Sequence, residues 1–438
     1  MKKILFFSTL IVSLLLSIRP VLAAPDTNKP LFRDFMGLCV HTVQFKPDLY
    51  KPICRLVRDY HDLRWDLGDD TDFWPSFPFA RNRVNWQTMY RSWTEAGFEI
   101  NASLMFNQIP PERWVNLPRD AHTYGFAFAR FFGPGHHNLV TAAEIGNEPG
   151  AYDDPNFIRL FENLARGLRA GDPRLKIATC AVVDGPSHKY AKSLDCFRRL
   201  KHLYDVINLH TYAQIEGWPT WRRSYPEDPN LDYLKKIRQI IAWRNQNALG
   251  KEIWITEFGY DACTKPAPDS GDFKDWVGST ETEQARYLVR SFLVFSALDI
   301  DRAYIFWFND TDEPHVHGSS GLTRNYTPKP AYHAVAFLYQ TLADYRLHRI
   351  VAQTPDLYTY EFHPADPADG PIWVAWSPSG DDRTSDHTLP LPASRVKQAL
   401  RLPLSADPPQ SVPYSEISPA SIKLPISPAP TFLFLKNP

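Results

Sequence analysis

Two glutamates carry the chemistry this chain most plainly offers. Glu148 closes the run Ala142-Ala143-Glu144-Ile145-Gly146-Asn147-Glu148-Pro149, and Glu257 stands in Ile253-Trp254-Ile255-Thr256-Glu257-Phe258-Gly259. Each run is short and apolar and leads into turn-forming residues, so each reads as a buried strand with a carboxylate at its end. Carboxyls at the ends of two separate strands suit hydrolysis of a glycosidic bond. One protonates the leaving oxygen while the other attacks or shields the sugar carbon from the opposite face. The amide of Asn147 can bond a sugar 2-hydroxyl, and Pro149 fixes the turn out of the strand. Glu144 lies about 13 Å below Glu148 on an extended strand and reads as an interior carboxylate paired with arginine or hydroxyl groups.

Other side chains at strand ends could support such a pair. His210 and Tyr212 close a strand candidate; the phenol could keep a nucleophilic carboxylate ionised, and the imidazole could position the acid or a sugar hydroxyl. Arg64 offers a guanidinium to clamp Glu257, Trp307 a floor for the sugar ring, and His41 a further substrate contact. The loops carry aromatics: Trp65, Phe73, Trp74, Trp218, Trp221, Phe273, Trp276 and Tyr326. Trp218 and Trp276 are the leading candidates among them for additional sugar contacts, and long loops around one mouth suggest an extended cleft. Asp310, Asp312, Glu313, His315 and His317 cluster without a metal-ligand spacing, which favours a solvated or substrate-contacting loop. No metal and no cofactor is expected. Glu281 and Glu283 open a helix, where acidic residues complement its dipole.

Strands and helices must alternate to bring these residues together. Strand-like runs fall at 35–42, 62–67, 99–107, 141–148, 176–183, 205–212, 252–258 and 302–308. Helical patterns lie between and after them at 50–60, 86–96, 121–132, 156–170, 190–204, 231–248, 281–298 and 330–342. Eight such units predict an α/β fold, a (β/α)₈ TIM barrel with its active residues at the C-terminal strand ends. From about Tyr345 the helical period gives way to short alternating runs at 357–362, 372–376, 421–426 and 431–435, among many prolines. That texture predicts a small C-terminal antiparallel β-sandwich. The expected division is 1–23, 24–344 for the barrel and 345–438 for the sandwich.

The first 23 residues have the form of a secretory signal. Lys2 and Lys3 precede the apolar run Ile4 to Leu16, and Val21-Leu22-Ala23 offers a cleavage site. Export to the periplasm or beyond is therefore expected, with no stable membrane insertion afterwards. A net charge of −1 gives no electrostatic case for nucleic acid. Aromatic residues make up 14% of the chain, which suits stacking on sugar faces. Five cysteines allow Cys39–Cys54 or Cys180–Cys196 to pair in an oxidising compartment, although buried free thiols are the simpler expectation. A monomer is expected.

Gly146-Asn147-Glu148-Pro149, His210-Thr211-Tyr212, Thr256-Glu257-Phe258-Gly259 and Trp307 together resemble the large clan of retaining (β/α)₈ glycosidases. The resemblance spans about Phe35 to Leu342, and the length and C-terminal appendage are most similar to glycoside hydrolase family 39. That family includes β-xylosidases, α-L-iduronidases and a periplasmic hydrolase encoded with an exopolysaccharide pathway. It implies Glu148 as acid/base, Glu257 as nucleophile and Asn147 as 2-hydroxyl partner, with His210, Tyr212, Arg64 and Trp307 around them. One departure is Ile145-Gly146, where many members carry an aromatic just before Asn-Glu-Pro. A polysaccharide or oligosaccharide is the expected substrate, cut internally. The alternatives are exo action of the β-xylosidase kind, transglycosylation, or a non-catalytic carbohydrate-binding barrel in an export system.

Overall fold

The computed structural model describes residues 29–72, 74 and 76–437. The expected signal segment and Phe73 lie outside the described residues. Eight strands form the barrel: β1 (Met36–Val40), β2 (Leu56–Asp62), β3 (Glu99–Met105), β4 (Ala142–Ile145), β5 (Lys176–Val183), β6 (Val206–His210), β7 (Glu252–Phe258) and β8 (Arg302–Ile305). Each pairs in parallel with its neighbours, and β8 returns to β1, so the sheet closes. Closure carries all eight C-terminal ends to one mouth.

Helices cover the outside. The main ones are Trp86–Glu95, Leu117–Phe132, Asp154–Gly171, Tyr233–Asn247, Glu281–Ser296 and Pro330–Leu342. The fifth begins with a capping box between Thr280 and Glu283, so its acidic first turn is structural. The barrel interior holds an apolar plug of Leu56, Ala142, Val206, Trp254 and Tyr304, against which Tyr60, Phe306 and Trp307 pack. Above the plug the interior turns polar, with Arg58, Ser103 and Glu144 fully buried.

Three elements differ from the sequence expectation. Residues 56–62 form β2 and the helix before it is only Pro47–Tyr50, whereas Leu63–Leu67 is a short helix capped by the Asp62 side chain. The strand escapes an apolar search because Arg58, Asp59, His61 and Asp62 interrupt it. Between β5 and β6 the expected helix at 190–204 is replaced by turns and a 3₁₀ segment, Leu194–Cys196. Its apolar spacing is still used, since Phe197, Leu200, Leu203 and Tyr204 are all buried. All five cysteines are free thiols, and four of them are buried.

The C-terminal part is two antiparallel sheets. Five strands, β9 (Tyr345–Gln353), β10 (Tyr358–Pro364), β11 (Ile372–Trp376), β13 (Val396–Arg401) and β16 (Thr431–Leu435), run in the order β9-β10-β11-β16-β13. Three more, β12 (Ser385–Leu389), β14 (Ser415–Ser418) and β15 (Ser421–Ile426), run β12-β15-β14. Alternation sorts the side chains by face. Trp373, Ala375, Leu433 and Leu435 pack between the sheets, whereas Ile372, Val374, Trp376 and Phe432 join the core of the barrel.

One buried ion pair fastens this second face to the barrel. Glu227 takes two hydrogen bonds from Arg290 at 3.0 and 2.5 Å and a third from Trp376 Nε1 at 2.6 Å. Both side chains of the pair are fully inaccessible. Glu227→Ala strands the guanidinium, so urea unfolding should show a loss of about 3–5 kcal/mol. An unchanged midpoint and slope would contradict this role.

Candidate active site

Glu148 does not lie on β4 itself. The strand stops at Ile145, and Gly146, at φ +86°, turns the chain so that Asn147 and Glu148 face the mouth. A side chain at Gly146 would be strained at that angle, and its Cβ would meet the Phe106 ring at 3.0 Å. Phe106, from the loop after β3, thus fills the space, which explains the missing aromatic at this position. Asn107 Nδ2 donates to the Glu148 carbonyl at 2.7 Å and holds the loop in place.

Glu257 sits on β7, buried, with both oxygens engaged. One oxygen accepts from Arg58 Nη1 at 2.9 Å and from the Tyr60 hydroxyl at 2.8 Å. The other accepts from the Tyr212 hydroxyl at 3.0 Å and lies 3.4 Å from His210 Nδ1. Burial alone would raise this carboxyl. The His210 and Arg58 charges, the Tyr60 hydrogen bond and His317 outweigh it and hold the group below the ordinary carboxylate value. Burial pushes the Tyr60 and Tyr212 phenols well above their usual value, so both remain proton donors.

His210 joins the two glutamates. Its Nδ1 lies 3.0 Å from Glu148 Oε1, and Arg58 Nη2 approaches its Nε2 at 3.5 Å. An arginine nitrogen can only donate, so in the neutral ring Nε2 accepts and the proton sits on Nδ1, aimed at the carboxylates. Burial lowers the affinity of this ring for a second proton, but Glu257 and the Glu148 hydrogen bond prevail and raise its pKa. A carboxylate oxygen of Glu148, a ring nitrogen of His210 and a carboxylate oxygen of Glu257 all lie within 4.8 Å of one another. Three such atoms have the types of a metal-ligand set. A cation there would face the Arg58 guanidinium, which already holds Glu257.

Arg58 organises the floor of the site. It forks onto Glu144 at 2.9 and 2.6 Å, reaches Glu257, and donates to the Asn147 side-chain oxygen at 2.7 Å. The last contact fixes the amide, leaving its NH₂ to donate to a ligand. This corrects the sequence reading of Arg64 as the clamp. Arg64 lies on the short helix after β2, its side chain 42% exposed, with Asp62 as its neighbour. Glu144 is the interior partner of arginine that its position on β4 implied.

The remaining candidates divide. His41 packs edge-on against Trp307 at 5.0 Å and lies 5.4 Å from Tyr60, so all three border one face of the site. Burial lowers the His41 pKa, although Asp59 opposes it. Trp218 is 70% exposed on its loop. Trp276 is buried, its indole lying against Gly278, so it props its own loop and offers no open face for a sugar; this corrects its reading as a sugar contact. Arg58 and Tyr60 were not singled out in the sequence, and His317 was named only within the cluster of acidic residues and histidines on the loop after β8. The first two alternate along β2 and become visible once that strand is placed six residues earlier. His317 packs at 5.0 Å from Tyr212 and 4.9 Å from Phe306, and burial, then Arg223, lowers its pKa.

Comparison with known proteins bears on what this arrangement is for. The chain is similar to a β-xylosidase. That protein, from Geobacillus stearothermophilus, is 25% identical over 221 residues, which cover 47% of this chain and 42% of the relative. The chain thus matches less than half the length of that relative. Solved structures share the fold across nearly the whole chain. A family 39 glycoside hydrolase from Bacteroides cellulosilyticus has a TM-score of 0.69 at 16% identity, covering 93% of this chain and 81% of its own. A glucosidase from Croceicoccus marinus gives 0.64 at 14% identity, covering 94% and 97%. A GH30 endoxylanase from Clostridium papyrosolvens gives 0.58 at 12% identity, covering 95% and 98%. No family model matches the chain.

Proposed function

We propose that this protein is a retaining glycoside hydrolase, exported from the cell, that cleaves internal linkages of a polysaccharide by double displacement. One observation carries the reading: oxygens of Glu148 and Glu257 lie within 4.8 Å of each other. That proximity fits attack by one carboxylate, for which the carboxyls stand about 5–5.5 Å apart, better than the gap of about 6.5–9.5 Å that an inverting enzyme keeps for its water. Similarity to a β-xylosidase supports the class of bond. The amino-terminal segment with Lys2, Lys3 and the run Ile4 to Leu16 supports export, and the exposed Trp218 on a loop supports a long substrate.

The residues divide the work. Glu257, kept ionised by Arg58 and Tyr60, attacks the anomeric carbon, and the C–O bond to the leaving group breaks. Glu148 gives its proton to that oxygen. Asn147, its amide oriented by Arg58, bonds the 2-hydroxyl as the ring flattens toward the oxocarbenium ion. Water then adds to the glycosyl ester, yields a proton to Glu148 and releases Glu257 as carboxylate.

Release of reducing ends from a panel of polysaccharides tests the activity and separates it from mere sugar binding. Glu148→Ala tests the acid. Aryl glycosides with poor leaving groups should lose about 10²–10⁴-fold in kcat/KM, whereas dinitrophenyl glycosides, which need no protonation, should react nearly as before. An equal loss across all leaving groups would reject Glu148 as the proton donor.

A further inference from the structure

A cavity of about 310 Å³ opens beside the reaction centre, large enough for a small ligand. Tyr60 belongs to both, since it lines the cavity and gives its hydroxyl to Glu257. His41, which packs on Trp307, forms part of the same wall, and the half-buried indole of Trp65 forms another part. The charged side chains of the lining are carboxylates, Asp59 and Asp62; no lysine or arginine is among the lining residues. Asp59 is buried and accepts from neutral donors, the Thr42 amide at 2.9 Å and the Tyr90 hydroxyl at 2.8 Å. Asp62 accepts from the Arg64 amide at 2.9 Å, and the nearest guanidinium nitrogen of Arg64 stands 4.0 Å away. Burial, acting against Asp59, keeps the His41 imidazole from compensating these charges.

We propose that this cavity is a subsite for an uncharged sugar residue adjoining the scissile bond, and that its carboxylates exclude a uronic acid there. The inference rests on the glycosidase reading. Carboxylates accept hydrogen bonds from sugar hydroxyls, and aromatic walls cover the C–H faces of a pyranose. A uronate would instead bring a third negative charge beside Asp59 and Asp62, which the half-exposed Arg64 guanidinium, 4.0 Å from Asp62, offsets only in part.

Binding by the full chain carrying Glu257→Gln tests this without turnover. Calorimetry would use xylotetraose, cellotetraose, mannotetraose and tetragalacturonate as probes. At least one neutral tetrasaccharide should bind, and Trp65→Ala should weaken it about tenfold or more. Tetragalacturonate should bind at least about tenfold more weakly than the best neutral probe. Asp62→Asn, which preserves the helix cap, should narrow that gap by strengthening uronate binding. Tetragalacturonate binding as tightly as the best neutral probe would overturn the assignment. So would an unchanged ratio in Asp62→Asn, or no neutral probe whose binding depends on Trp65. The wild-type reducing-end assay fails separately, because discrimination in binding does not depend on bond cleavage.

Discussion

Glu257→Ala is expected to lower kcat by at least about 10⁴-fold on every substrate, activated or not. The residue is assigned the bond-forming step, so a better leaving group cannot substitute for it. That contrasts with Glu148→Ala, whose defect depends on the leaving group. The environment supports the division. Glu257 is buried with four neighbouring donors, Arg58, Tyr60, Tyr212 and His210, whereas the Glu148 side chain is 25% exposed and meets His210. Added azide should restore turnover of the Glu257→Ala protein on an activated glycoside and give a glycosyl azide of inverted configuration, because the small anion enters from the vacated face. Kinetics within tenfold of wild type, or an azide product of retained configuration, would reject the assignment.

Arg58 is expected to matter nearly as much, to both stability and turnover. Its side chain is fully buried and is the shared partner of Glu144 and Glu257. Arg58→Ala leaves two carboxylates in a low-dielectric interior without their cation, at a cost of about 3–5 kcal/mol in unfolding experiments. Arg58→Lys keeps the charge but cannot fork onto Glu144 while also reaching Glu257 and Asn147, so a folded Lys variant should still lose most of its kcat. Arg64→Ala is the control. At an exposed site beside Asp62 it should change stability by less than about 0.5 kcal/mol. Normal turnover by Arg58→Lys together with loss in Arg64→Ala would reverse the assignment.

The contrast between these two arginines marks where the sequence was readable. β5 and β7 have the predicted bounds because they are apolar runs, buried on both faces, that end at turn residues. β2 is the opposite case. Its inward residues Arg58 and Tyr60 build the site, its outward Asp59 and His61 bond Tyr90 and Asp66 beneath the helices, and so little apolar signal remains. A strand that supplies the chemistry is for that reason the one hardest to find by hydrophobicity. In the C-terminal sheets, β11, β15 and β16 were legible through their alternation, whereas β9 and β13 are half-exposed and charged and were not.

Glu148 and Glu257 were legible because each belongs to a short motif at or just beyond the end of an apolar strand. Their spacing was not, since it depends on the Gly146 turn, the Phe106 ring beneath it and the shared contact with His210. His317 was legible only as one member of a loop cluster, without a partner or a place in the site. It belongs to a loop after β8, and its place beside Tyr212 and Phe306 depends on how that loop folds back over the mouth.

The claim that Glu257 forms a covalent bond to the sugar is open to one direct measurement. The protein is incubated with dinitrophenyl 2-deoxy-2-fluoro glycosides, which form the ester but hydrolyse it slowly, and is then analysed by intact mass and peptide mapping. The account predicts one added fluoroglycosyl group per chain, located on the peptide containing Glu257. A label on any other residue, or rapid turnover with no adduct and a first-formed product of inverted configuration, would contradict it.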